Sequence, residues 1–338
     1  MRPSKPKVPP PKFTIKPPNV KPLPDNWEQD MWAKLQQAMS AVHSGQPLGH
    51  PYEILYHDVK DMCIMDMAPR LFERLERELE KYIEGRLDAL VAQENESIDF
   101  LARAHACWTA HCEEMKVFGK VFLWLDRTYI MRESKKKSLW EVGLNIFRAN
   151  VSRTDAAKKV VDGALVAIGR ERAGEDVPAE RSLLSSLLTM LHELGLYHEM
   201  FEQPFLHATR QFYDAESAAK LQSSEVPAYL SYAADRLAQE AGRVEAYLHK
   251  STRTPLEHVI NHVLITTHLD ALVEMGFDRL MDGCHVEDLK RMYDLFALVD
   301  ALPKLRSAFG AYIKKVGSAM VTDAERDRVL VQVHHVAT

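Results

Sequence analysis

Apolar side chains recur at steps of three and four residues along most of the chain. Clear examples are Trp32, Leu35, Met39, Val42; Leu55, Val59, Met62; Trp140, Leu144, Phe147, Val151; and Leu256, Ile260, Val263. That spacing lines one face of an α-helix, whereas a half-buried strand would alternate every second residue. Alternating β-branched runs between turn dipeptides are absent, so the pattern predicts an all-α fold. It places helices at 27–44, 51–67, 70–92, 97–115 and 116–132, then at 139–151, 155–173, 179–195, 198–222 and 227–249. Glycine is sparse and nine of the 17 prolines fall within the first 24 residues. Most of the other prolines sit where a helical pattern begins, the position at which a missing N–H costs least.

Start signals recur with the stripes. Asp25 with Glu28, Ser138 with Glu141, and Thr254 with Glu257 each form a capping-box pattern, the last with Pro255 at the first helical position. They lie 113 and 116 residues apart. Near-equal spacing with an apolar stripe after each predicts a repeat of five helices. The expected organisation is a tail at 1–24, repeats at 25–137 and 138–253, and a partial third at 254–338. Such units stack end to end, so an elongated stalk is expected, serving as spacer or binding platform.

Some apolar residues are left over once the stripes are assigned. Between Val117 and Val151, Phe118, Phe122, Leu125 and Tyr129 make a core stripe, but Trp124 projects about 120° from its centre, beside Lys120, Arg127 and Thr128. In the helix after Pro51, Tyr52, Tyr56 and Lys60 run beside the stripe of Leu55, Val59 and Met62. Three aromatics with long cations are the composition of energetic centres of protein interfaces. Packing against a neighbouring helix is the competing reading.

Charge narrows the partners. Residues 1 to 24 carry six basic residues and no acid, leaving −11 on the remainder. An acidic body does not attract a phosphate backbone, which argues against direct nucleic-acid binding. No run of about 18 apolar residues spans a membrane and no signal-peptide pattern is present. Four scattered cysteines do not make a disulfide framework, and a reducing compartment fits them best. The proline-dense tail is not helical. Phe13 and Ile15 alternate around Thr14, and a short extended segment of that kind can add to a sheet edge or fill a groove on another protein. The run KPKVPPPK is also a weak nuclear-import pattern.

Catalytic chemistry is hard to find. His105, Cys107, His111 and Cys112 share one predicted helix, and Cys107 with His111 at i, i+4 could meet a metal. Two more ligands would have to come from elsewhere and Cys112 points away, so helix packing is the better reading. His192-Glu193 is followed by His198 at the wrong distance for a helical zinc pair. No phosphate loop, nucleophile elbow or Cys-x-x-Cys pair occurs, and no catalytic, cofactor or metal residue is assigned.

Several stretches carry a family resemblance. Phe122-Leu-Trp-Leu-Asp-Arg-Thr-Tyr-Ile130, Leu139-Trp-Glu-Val-Gly-Leu-Asn-Ile-Phe-Arg148, Phe201-Glu-Gln-Pro-Phe-Leu206 and Tyr312-Ile-Lys-Lys-Val-Gly317 resemble the amino-terminal half of a cullin. Among cullins the chain most resembles the fourth paralogue, which serves the damage-specific DNA-binding adaptor, because Leu23-Pro-Asp-Asn-Trp-Glu-Gln-Asp30 and Phe13-Thr-Ile-Lys16 also match.

The resemblance implies a non-enzymatic scaffold of a multisubunit ubiquitin ligase, nuclear and cytoplasmic. It implies that the second and fifth helices of the first repeat hold the adaptor, a triple β-propeller protein, through Tyr52, Tyr56, Lys60, Trp124, Arg127 and Thr128. The amino-terminal segment Phe13, Thr14, Ile15 and Lys16 would contact the same adaptor. A complete cullin continues into a half that recruits the RING-box protein, and that half is expected to be missing here. The last helical region, around Asp323 to Val336, is then expected to be the least ordered. A helical tethering-complex subunit and a metal-dependent enzyme are the alternatives, the latter needing zinc at His105 to Cys112.

Overall fold

The computed structural model describes residues 26–93, 97–133, 138–175 and 178–322. Two expectations lie outside these residues, the docking segment Phe13 to Lys16 and the ordering of Asp323 to Val336. Every regular element among the described residues is helical. They are α1 (Trp27–His43), α2 (Tyr52–Ile64), α3 (Ala68–Ala92), α4 (Ser97–Val121) and α5 (Leu123–Leu125), then a π-helical turn (Asp126–Ile130) running into α6 (Met131–Glu133). Next come α7 (Leu139–Arg153), α8 (Ala156–Arg172), α9 (Pro178–Glu193), a second π turn (Tyr197–Glu202), α10 (Gln203–Ser223) and α11 (Val226–Ala246). The remainder is shorter: a 3₁₀ turn (Lys250–Thr252), α12 (Arg253–Leu264), a 3₁₀ turn (Thr266–His268), α13 (Leu269–Leu272), a third π turn (Val273–Phe277), α14 (Asp278–Asp282), α15 (Val286–Ala297) and α16 (Leu302–Thr322).

Most predicted helices are found within a few residues of their expected ends, with one shift of consequence. No breaker separates Met115 from Lys116, and α4 continues to Val121 instead of stopping there. The break falls at Phe122, whose backbone turns out of the helical region (φ −94°, ψ 17°).

The start signals are less faithful than the stripes. The residue preceding α1 is Asn26, and its side chain caps nothing. Thr254 lies inside α12, which begins at Arg253 after Thr252. Thr252 is fully buried, and its hydroxyl donates to Glu202 at 2.7 Å while also meeting the Tyr197 hydroxyl at 2.8 Å. A tertiary contact some fifty residues away therefore occupies the hydroxyl nearest this helix start. At α7, the Leu139 N–H donates to the Asp126 carboxylate at 2.6 Å, satisfying one of the donors a helix start leaves over.

The chain divides into two compact units. The first takes Met1–Glu76 and Glu114–Trp140, the second Arg77–Glu113 and Glu141–Thr338. In the first, Leu35, Met39, Leu55, Val59, Met62, Phe118, Phe122 and Leu125 are almost wholly buried. Each such side chain contributes about 1.5–3 kcal/mol over its exposed state. In the second, Phe201, Phe205, Tyr213, Tyr229 and Phe296 are fully buried. There, too, Glu240 is held by Arg172 (2.8 and 3.0 Å), Arg243 (2.9 Å) and the Tyr213 hydroxyl (2.6 Å), so its burial leaves no carboxylate oxygen unmatched.

Candidate protein-docking face

The candidate face belongs to the first unit and is built from α2, the end of α4, and α5 with its π turn. Tight burial of Leu55, Val59 and Met62 fixes the rotation of α2. With that face inward, Tyr52, Tyr56 and Lys60 are left at its edge. Tyr52 is 42% exposed, and Tyr56 and Lys60 are half-buried.

Opposite α2, Phe122 and Leu125 anchor α5 and leave Trp124 between them half-buried. The Lys60 ammonium lies over the Trp124 ring, 5.0 Å from its centroid. A second pair runs the other way, with Lys120 of α4 over the Tyr52 ring at 5.8 Å. Each side thus supplies one ring and one cation to the other, and each pair contributes about 0.5–1 kcal/mol where water has access. The expected companions Arg127 and Thr128 follow, the first exposed and the second half-buried with its hydroxyl donating to the Trp124 carbonyl at 2.7 Å.

The π turn decides which residue of this segment goes inward. The Met131 N–H reaches back five residues to the Asp126 carbonyl, which inserts one residue into the helical count. The inward stripe therefore passes from Leu125 to Ile130, both fully buried, while Tyr129 stays half-buried and tilts against Phe72 at 6.0 Å. The expectation that Tyr129 completes the core stripe is corrected by that one-residue advance.

The structure brings Tyr52, Lys60 and Trp124 together through contacts of α2 with α4 and α5. Sequence reasoning passed over the Lys120–Tyr52 pair, and over Ile54, Ile64 and Met131, which are 45%, 59% and 56% exposed. Ile54 and Ile64 lie off the Leu55 stripe, the same signal that singled out the tyrosines.

The candidate metal residues do other work. His111 is buried in the second unit, stacked on Phe147 at 4.7 Å beside Trp108. Among the described residues no group of three His, Cys, Asp or Glu side chains is placed to hold a metal ion. His192 stacks on His249 at 3.9 Å. No helix among the described residues is long and apolar enough to cross a membrane.

Comparison with known proteins settles the relationship. Residues 32–335 match the family model described as the cullin alpha solenoid domain. The chain belongs to the cullin family. It is 38% identical over 312 residues to mouse Cullin-4A, an alignment covering 92% of this chain and 41% of that protein. Cullin-4 of Dictyostelium discoideum is 34% identical, with 91% and 39% covered, and Cullin-3A of Arabidopsis thaliana 28%, with 88% and 41% covered. This cullin chain thus spans about two fifths of the length of the curated relatives it matches. The resemblance read from the sequence is confirmed, as is the all-helical solenoid class.

Proposed function

We propose that this cullin chain is the adaptor-binding part of a scaffold in a cullin-RING ubiquitin ligase, and that it docks a triple β-propeller adaptor of the damage-specific DNA-binding type. The docking face is that of Tyr52, Tyr56, Lys60, Trp124, Arg127 and Thr128, with Phe13, Thr14, Ile15 and Lys16 as a second contact. On this reading the chain consists of cullin repeats beginning near residues 25, 138 and 254. It carries no catalytic group of its own, serves an assembly that includes the RING-box protein, and works in the nucleus and cytoplasm.

One observation carries the reading. The aromatic rings on α2 and α5 are not sealed by the described helices: Tyr52 is 42% exposed, and Tyr56 and Trp124 keep part of their surface open. Half-buried aromatics with adjoining cations are costly to leave facing water and are the residues on which interface energy concentrates. The relatedness to Cullin-4 proteins supports the choice of adaptor class.

The test is calorimetric titration of a purified propeller adaptor against the wild type, a deletion of residues 1–24, and the double variant Tyr56→Ala, Trp124→Ala. Paired losses of hot-spot size, about 2 kcal/mol or more, are expected to weaken the double variant roughly thirtyfold or more. The deletion is expected to weaken binding by a smaller factor. Equal affinity for all three proteins would remove the proposed surface.

A further inference from the structure

Charge on the same face points to the chemistry of whatever sits against it. In the first unit, some cations are matched by carboxylates: Lys34 lies 3.4 Å from Asp58, and Arg70 and Arg74 both reach Glu28, at 3.7 and 3.0 Å. Lys60, Lys120 and Arg127 depart from this pattern. None has an ion pair to a described residue, and two of them rest on aromatic rings instead. Two nearby carboxylates are engaged elsewhere, Asp58 by Lys34 and Asp126 by the Leu139 N–H.

The setting makes this departure matter. Residues 25 to 338 carry a net charge of −11, so Lys60 and Lys120, on their rings and without an ion pair to a described residue, mark a spot apart on an acidic body. Fields from such a spot reach about 10 Å at 0.1 M salt, far enough to orient an approaching protein before contact. Two of the cations lie over the rings of Trp124 and Tyr52, and Tyr56 lies on the same edge of α2 as Tyr52 and Lys60.

We infer that this face recognises an apolar patch rimmed by carboxylates, with Lys60, Lys120 and Arg127 steering and orienting the partner while Tyr52, Tyr56 and Trp124 hold it. This deepens the docking proposal and rests on it. The aromatic pairs have a second role: a lysine lying on a ring holds its ammonium in one region and leaves it free of a competing carboxylate. The partner's acidic groups therefore displace no internal ion pair when they arrive. Rim charges of this kind act chiefly on the association rate and its salt dependence, whereas buried anchors act on dissociation.

Stopped-flow association with the purified propeller adaptor, measured between about 20 and 300 mM salt, separates the two contributions. The double variant Lys60→Met, Lys120→Met keeps the apolar stems and removes both charges. It is expected to associate roughly tenfold more slowly at the lowest salt, with a flatter salt dependence and a dissociation rate changed less than about threefold. A control, Lys158→Met with Lys314→Met, changes net charge equally at exposed positions of the second unit and is expected to leave the rate within about twofold. Should Tyr56→Ala with Trp124→Ala weaken binding while the Lys60, Lys120 variant matches wild type at every salt, the charge inference is overturned and the docking reading stands. If the aromatic variant binds like wild type, the docking reading itself fails. A control that slows association as much as the Lys60, Lys120 variant assigns the effect to net charge and overturns the local rim.

Discussion

Glu240 is a wholly buried carboxylate of the second unit, held by side chains from several helices. Burial alone would raise its carboxyl pKa, but the guanidinium of Arg172, then that of Arg243, and the Tyr213 hydroxyl outweigh this and hold it below the usual carboxylate range. A carboxylate whose folded pKa is depressed stabilises the fold above its unfolded value, about 4.3, and that contribution is lost as pH falls through the folded value. Glu240→Gln leaves the buried Arg172 guanidinium without its counter-charge, while Arg243 keeps Glu171 at 3.3 Å. The expected loss is about 3–5 kcal/mol at pH 7, read by urea denaturation, and it shrinks toward pH 3. A loss at pH 7 below about 1 kcal/mol would show that Arg172 finds another partner. None of this was legible in the sequence, where Arg172, Glu240 and Arg243 read as ordinary helix charges. The partners come from three elements, α8, α10 and α11, and no local spacing announces that.

Elements were legible to the extent that periodicity alone defines them. Leu55, Val59 and Met62 are buried as their spacing requires, and the flanking Tyr52, Tyr56 and Lys60 lie at the edge of that face. End points were less accessible. The helix expected at 51–67 stops at Ile64, because the chain turns at Asp66 through a left-handed conformation (φ 62°), which aspartate tolerates better than most residues. The π turn left no mark in the sequence at all, since an i+5 hydrogen bond needs no special residue. Its register makes a clear forecast. Ile130→Ala, at a fully buried position, is expected to cost about 2–4 kcal/mol, and Tyr129→Ala distinctly less, by thermal or urea denaturation. A larger cost at Tyr129 would mean that the segment continues as a regular α-helix.

For the molecule as a whole, the family could be recognised from motifs spread along the chain, and the match over residues 32–335 agrees. The capping boxes that suggested the period mark helix starts only loosely: Thr252, not Thr254, stands at the start of α12, and its hydroxyl is committed to Glu202 and Tyr197. What the sequence could supply for the candidate face was its composition. Whether the rings were covered depended on the packing of α2 against α5, which single-helix patterns do not specify. The central claim is that this partly open face is where an adaptor sits. Amide hydrogen exchange of the chain, with and without saturating propeller adaptor, tests it most directly. The account predicts added protection in peptides covering residues 52–60 and 120–128, with peptides from α8 to α11 unchanged; protection confined to the second unit, or none at all, would contradict it.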